Sequence, residues 1–188
     1  MYFLTDPLYF VTGNPGKVRE LAPFFPQLRQ LDVYVPEIQS MDSQEIIRAK
    51  LKAALPHVEE GIVMVEDTSL SFEGLGGLPG PFIKFFLKNL QNEGLASLVE
   101  KLETTSALAR SVIGIGKMGE EPLFFEGEVQ GRIVYPRGEK DFGWGPIFEV
   151  EGSGKTFGEM ELEEKMVKGQ RGAAVRKLVE FLHSQKAI

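Results

Sequence analysis

The segment Thr12–Lys17 combines two glycines and a lysine at the point where an apolar stretch gives way to a helical pattern. Glycines let the backbone approach a ligand, the start of a helix offers N–H groups, and a lysine adds a positive charge for phosphate oxygens. The spacing of a Walker A loop is missing. Since many strand-to-helix turns have similar sequences, the segment predicts either a phosphate-binding loop or a plain turn.

Carboxylates provide the second candidate feature. Glu66 and Asp67, followed by Thr68, come directly after the apolar residues 62–65. The carboxyl end of a strand is where open α/β sheets build their sites, although acids at such a point also serve as turn or capping residues. Glu37 is either a second metal ligand or an isolated surface acid. Both interpretations stay open on these residues alone.

Aromatic and basic residues near the C-terminus form the third feature. The segment 142–144, Phe-Gly-Trp, holds the single tryptophan of the chain. It predicts either a stacking surface for a nucleobase, a contact that contributes about 1–3 kcal/mol per base, or a core tryptophan beside turn glycines. Lys165, Lys168 and Arg171 precede the last predicted helix, either as ligand-binding groups or as a solvated cluster.

Composition limits the chemistry further. The 188 residues include no cysteine and only His57 and His183, which excludes a thiol nucleophile, a disulfide framework and a Cys/His zinc site. Any metal is then a hard cation on carboxylates, Mg²⁺ before Ca²⁺ or Mn²⁺. The net charge of −6 argues against a nucleic-acid surface but not against a small polyanion. Residues 1–10 are neither a signal peptide nor a membrane span, which predicts a soluble cytoplasmic protein without a membrane partner.

The elements that must position these residues follow from the apolar periodicity. Strands are predicted over 8–12, 31–35, 62–65, 107–116 and 123–134, and helices over 17–25, 42–55, 82–90, 95–102 and 173–183. Alternating strands and helices followed by a strand-rich half predict one α/β domain over 1–188, with a mixed twisted sheet and a cleft between two lobes. Capping-box spacing predicts that Glu45 reaches back to the start of its helix.

Taken in order, these segments resemble the signature blocks of the inosine triphosphate pyrophosphatase family. Thr12–Lys17, Val65–Thr68 and the glycine-rich Leu75–Lys84 carry the resemblance, which continues through 127–133, 141–148 and 156–171. It implies an elongated two-lobed α/β fold, a homodimer, and Mg²⁺-dependent hydrolysis of ITP, dITP and XTP to the monophosphate and pyrophosphate. The alternatives are a divergent pyrophosphatase with a different or relaxed base preference, and a nucleotide-binding protein with weak turnover.

The resemblance also implies a role for each candidate residue. Asp67 would be the general base, assisted by Lys17, and Glu37 and Asp67 would hold Mg²⁺. The implied triphosphate side comprises Thr12, Gly13, Asn14, Pro15, Gly16, Lys17, Lys50, Thr68 and Lys84, and the implied base side comprises Phe142, Gly143, Trp144, Gly145, Lys165, Gln170 and Arg171. Without the resemblance, Lys50 and Lys84 are predicted to be solvated helix lysines.

Three departures from the family pattern lie on the base side. Gly145 replaces an aspartate, Gly169-Gln170 replaces Ser-His ahead of Arg171, and Met166 stands where an asparagine is common. Lost polar partners weaken selectivity, so we expect looser discrimination among 6-oxo bases than is usual in the family. The preferred base and the choice between ribose and deoxyribose are left open.

Overall fold

The computed structural model describes Tyr2 and residues 6–185. The strands are β1 (Leu8–Val11), β2 (Leu28–Leu31), β3 (Ile62–Phe72), β4 (Pro79–Gly80), β5 (Ser106–Gly116), β6 (Leu123–Ile133) and β7 (Phe148–Val150). The helices are α1 (Pro15–Leu21), α2 (Ser43–Ala54), α3 (Ile83–Glu100), α4 (Leu162–Lys168) and α5 (Gln170–Ser184).

Across the described residues the strands form one sheet of order β2-β1-β3-β5-β6-β7, with β4 paired to β3. The sheet is mixed, because β1 is parallel to β2 and β3 whereas β4 and β7 are antiparallel to their partners. Within the same described residues, every helix is too short or too polar to span a bilayer.

The chain divides into two compact units. The first unit contains the described residues up to Asp67, together with Val112–Glu126 and those from Ala174 onward. Its apolar cluster joins valines of β1, β3 and β5 to Ile47, Leu51 and Ala54 of α2. A β-carbon added at Gly114 would lie 2.1 Å from Ile47 Cγ2, so α2 packs directly onto the backbone of β5.

Capping defines the start of α2, as the sequence predicted. The Asp42 side chain accepts the Gln44 N–H at 2.8 Å and caps the helix. Glu45 reaches back to the start of its helix, as predicted, but its Oε2 accepts the Ser40 hydroxyl at 2.7 Å rather than the Asp42 N–H, which Ser40 Oγ accepts at 3.0 Å. Ser40 therefore links the Glu45 carboxylate to the backbone of the capping residue Asp42, and this link fixes the start of α2.

The second unit contains Thr68–Ser111 and Gly127–Ala173. Its buried cluster combines Leu70 and Phe72 of β3 with apolar residues of α3, β5, β6 and β7, and Trp144 packs against it. The helices predicted over 82–90 and 95–102 both lie within α3, where Gln91 adopts a non-helical φ of 58° and ψ of 179° and divides the span into two helical segments, as predicted.

Two strand predictions were wrong in their bounds. The strand predicted over 31–35 lies at Leu28–Leu31, because its ladder with β1 runs from Leu8 opposite Leu28 to Val11 opposite Leu31 and β1 then ends. Val33 and Val35 still pack against the apolar cluster of the first unit, which explains their strand-like alternation. The strand predicted over 62–65 continues as β3 to Phe72, so Glu66 and Asp67 lie within a strand rather than after it.

Candidate functional site

Lys50 is buried at the centre of a group of charges in the first unit. Its ammonium lies 3.3 Å from Asp67 Oδ1 and 3.8 Å from Glu37 Oε1, and it donates to the Glu66 carbonyl oxygen at 3.3 Å. The residue is 7% exposed, so the expectation of a solvated helix lysine is wrong. A buried ammonium requires oxygen partners, and these three oxygens supply them. We call Lys17, Glu37, Lys50, Glu66 and Asp67 the acid–lysine cluster.

Asp67 is oriented through both of its carboxylate oxygens. Oδ1 faces Lys50, and Oδ2 accepts the hydroxyl of Ser43, the first residue of α2, at 3.1 Å. The side chain is buried within β3. A carboxylate fixed in this way can accept a proton at a defined position or serve as a ligand for a hard cation. Ser43 was missed by the sequence, because a serine at a helix start is ordinarily a capping residue.

Glu66 has a different partner, since successive strand side chains point to opposite faces. Its Oε2 lies 3.0 Å from the Lys17 ammonium, and its side chain is 1% exposed against 20% for the lysine. The pair holds Lys17 in one place while leaving part of its surface accessible. Glu66 was one of two candidate acids in the sequence, but it received no role there, because nothing in the pattern shows which of two adjacent acids meets a lysine.

The turn after β1 is held by its own polar groups. Asn14 Oδ1 accepts the Gly16 N–H at 2.9 Å, and Thr12 Oγ1 accepts the Asn14 N–H at 3.0 Å. Gln30 Nε2 donates to the Thr12 carbonyl oxygen at 2.7 Å. A β-carbon added at Gly13 would meet nothing within 4 Å, so open space lies beside this glycine. The turn therefore offers a fixed backbone that a ligand can approach.

A second group of charges lies in the second unit around the ring of Phe142. The Lys165 ammonium is 4.8 Å from the centroid of that ring, and the Arg171 guanidinium carbon is 5.7 Å from it. Lys165 also forms an ion pair with Asp141. Lys165 and Arg171 are both buried, so the solvated-cluster interpretation fails for them, whereas Lys168 is exposed and pairs with Glu164 at 3.0 Å. We call Asp141, Phe142, Lys165 and Arg171 the aromatic–basic cluster.

Trp144 and Gln170 lie next to members of this cluster in the sequence. The Trp144 ring lies 5.6 Å from that of Phe148, edge to face, and is partly buried, so it belongs to the core of the second unit. Gln170, the first residue of α5, is 3% exposed, and no described residue donates a hydrogen bond to its Oε1. Contact of either residue with a base stays a prediction.

The remaining candidates also lie in the second unit. Lys84 is exposed as the second residue of α3, and Thr68 is half-buried in β3. Gly143 adopts a φ of 67°, and its carbonyl oxygen accepts the Asn92 side-chain amide at 3.0 Å. Asn92 and Asp141 were missed by the sequence, because each acts through a residue distant along the chain.

Comparison with known proteins places this chain in a family. The Ham1 family matches residues 8–181. The chain is 42% identical to an inosine triphosphate pyrophosphatase of Aspergillus oryzae over 97% of each chain, and 38% identical to one of Puccinia graminis f. sp. tritici over 91% of this chain and 94% of the relative. The chain belongs to the Ham1 family, and the family resemblance found in the motifs is confirmed.

Solved structures share the fold. The Ham1 protein of Staphylococcus aureus superposes with a TM-score of 0.76 at 24% identity, covering 95% of this chain and 99% of that one. A HAM1 protein from Coxiella burnetii gives a TM-score of 0.78 at 23% identity, covering 94% of this chain and 98% of the other. The predicted mixed α/β fold is confirmed.

Proposed function

We propose that this chain is a nucleoside-triphosphate pyrophosphatase that hydrolyses ITP, dITP and XTP to the monophosphate and pyrophosphate. The observation that carries the proposal is the acid–lysine cluster, in which Lys50 and Ser43 orient both oxygens of Asp67. Relatives named inosine triphosphate pyrophosphatase match over nearly the whole chain and support it. The same cluster combines the two things that triphosphate hydrolysis requires, cations for phosphate oxygens and a base for water.

In the proposed mechanism, residues of the first unit bind the phosphates and move one proton. Lys17, fixed by Glu66 beside the open space at Gly13, binds phosphate oxygens. Asp67 orients the attacking water and accepts its proton as the water oxygen bonds to the α-phosphorus. The bond between the α-phosphorus and the oxygen that bridges it to the β-phosphate breaks, and pyrophosphate leaves with that oxygen. Because Ser43 and Lys50 hold both carboxylate oxygens, Asp67 needs no reorganisation at that moment.

The metal in this proposal is Mg²⁺. Nucleotide hydrolases of this family generally need a divalent metal. Among Tyr2 and residues 6–185 no group of three acids, histidines or cysteines forms a metal cage. Mg²⁺ usually binds one or two carboxylates and takes its other ligands from water and phosphate, so Glu37 and Asp67, which both face the Lys50 ammonium, fit it. When bound, Mg²⁺ neutralises charge on the phosphate oxygens.

In the proposal, the aromatic–basic cluster binds the nucleobase. Lys165 and Arg171 are donors without acceptor atoms, so they favour a base with an oxygen at position 6 over adenine, which carries an amine there. Phe142 presents a ring to both cations and, in the proposal, walls the base with Gly143 and Trp144. Thr68 and Lys84 are proposed to assist at the phosphates. The homodimer and the cytoplasmic location stay predictions.

A substrate screen tests the proposed function. Phosphate release from ITP, XTP, dITP, GTP and ATP is measured with malachite green, with and without added inorganic pyrophosphatase. We expect signal only with the added enzyme, and kcat/KM for ITP and XTP on the order of 10²-fold above ATP. Equal use of ATP would favour the relaxed-preference alternative. Binding without turnover of any triphosphate would favour the nucleotide-binding alternative.

The metal proposal makes a separate prediction for Glu37. Glu37→Gln removes one of two carboxylates, and we expect the Mg²⁺ concentration for half-maximal activity to rise about tenfold, equivalent to about 1.4 kcal/mol of binding. Glu59→Gln, at an exposed acid of the same unit, is the matched control. An unchanged Mg²⁺ titration, or full activity in EDTA, would remove Glu37 from the metal site.

A further inference from the structure

Gly145 is buried beside the side chain of Asp141, and the contact leaves no room for a side chain of its own. A β-carbon added at Gly145 would lie 2.0 Å from Asp141 Oδ2, 2.5 Å from Cγ and 2.8 Å from Cβ. The backbone of Gly145 is outside the left-handed region that favours glycine. The glycine is therefore required for space and not for its φ angle.

The Asp141 carboxylate is held where a side chain of residue 145 would lie. Its Oδ1 accepts the Phe142 N–H at 2.7 Å and forms the ion pair with Lys165. The two side chains of that pair are 5% and 9% exposed. Removing one member of a buried ion pair leaves the other charge without compensation. Each side chain therefore strongly favours the position in which it contacts the other.

Through this pair, Asp141 determines where the Lys165 ammonium lies. The ammonium is 4.8 Å from the Phe142 ring centroid and 5.7 Å from that of Phe157, so it sits between two aromatic rings and a carboxylate. An ammonium has three N–H donors and no acceptor. It can hold Asp141 and still donate to a carbonyl oxygen, but it cannot accept a hydrogen bond from an amine.

We propose that Asp141 is the positioning residue that sets base selectivity, with Gly145 supplying the space that its carboxylate needs. This inference rests on the proposed function, and it revises the expectation that the glycine at position 145 leaves the base side with fewer polar partners. Asp141 aims the Lys165 ammonium so that a 6-oxo purine gains a hydrogen bond that adenine cannot make.

Variants of the two positions test the inference. Asp141→Asn removes the charge that holds Lys165, and we expect kcat/KM for ITP to fall about 10- to 100-fold, mainly through KM, with ATP turnover nearly unchanged. Gly145→Asp brings two carboxylates into one space and should lower ITP turnover similarly. Glu139→Gln, an exposed acid of the same loop, is the control that should leave the ITP/ATP ratio unchanged.

Moving the carboxylate from position 141 to position 145 supplies the decisive comparison. In Asp141→Gly with Gly145→Asp, every clashing atom of residue 141 is gone and a carboxylate enters the vacated space. We expect its ITP/ATP ratio to return to within about threefold of wild type, whereas Asp141→Gly alone stays impaired. A transposed variant no better than Asp141→Gly, or equal loss for ITP and ATP in Asp141→Asn, would overturn the inference.

Two further measurements separate this inference from a merely structural role and from failure of the proposed function. Thermal midpoints are recorded for every variant, and a lower midpoint with an unchanged ITP/ATP ratio assigns Asp141 to stability alone and overturns the inference. Calorimetric binding of α,β-methylene analogues of ITP and ATP gives the same ratio without turnover. If wild type hydrolyses no triphosphate, the proposed function fails, while the binding ratios still decide the role of Asp141.

Discussion

Asp67→Asn is expected to lower kcat for ITP about 10²- to 10⁴-fold while leaving the fold intact. The asparagine keeps the shape of the side chain and one oxygen to accept the Ser43 hydroxyl or the Lys50 ammonium. It cannot take a proton from water, and it is a poorer ligand for a hard cation. The expected result is therefore a folded protein with greatly reduced turnover. Turnover is measured by steady-state kinetics at saturating Mg²⁺.

The control for this prediction is an acid outside the cluster. Asp32→Asn changes an exposed aspartate of the same unit and is expected to leave kcat within about twofold of wild type. Circular dichroism and a thermal midpoint establish that Asp67→Asn is folded. Turnover near the wild-type value in a folded Asp67→Asn would mean that another group takes the proton.

Much of the fold could be predicted from the sequence, because its signals are local. Alternating strands and helices gave the α/β class, and Asp42 gave the start of α2. The errors arose where a tertiary contact overrides the local pattern. Glu66 and Asp67 interrupt an apolar run and so suggest that the strand has ended, yet lysines of two helices compensate both charges and β3 continues through them.

The candidate site was predictable only in part, for the same reason. Charged side chains are mostly exposed in proteins, so Lys50 alone predicted a solvated lysine, and a solvated cluster was one of the two interpretations for Lys165. Their burial depends on oxygens from distant parts of the chain, which no spacing within one segment encodes. Asp141 gave no signal of its own as a site residue, since its carboxylate fits in place only because Gly145 has no side chain. The order of the motifs along the chain indicated the family and the implied site residues, which no single motif did.

Lys50→Met is expected to lower the free energy of unfolding by about 3–5 kcal/mol, because it leaves the Asp67 carboxylate and the Glu66 carbonyl oxygen buried without their cation. For a chain of this size, that corresponds to a thermal midpoint roughly 6–20 °C lower. The matched control is Lys52→Met, at an exposed lysine of the same helix, which should change the free energy by less than about 0.5 kcal/mol.

Mg²⁺ distinguishes a structural role of Lys50 from a role in the metal site. Without the ammonium, Glu37 and Asp67 lose the cation that both of them face, so a divalent cation should bind the folded state more tightly than in wild type. Binding to the folded state raises stability with ligand concentration, and we expect millimolar Mg²⁺ to raise the thermal midpoint of Lys50→Met more than that of wild type or Lys52→Met. Equal Mg²⁺ responses in all three proteins would contradict a shared metal site. Equal midpoints for the two lysine variants would show instead that the Lys50 ammonium contributes no more to stability than a surface charge.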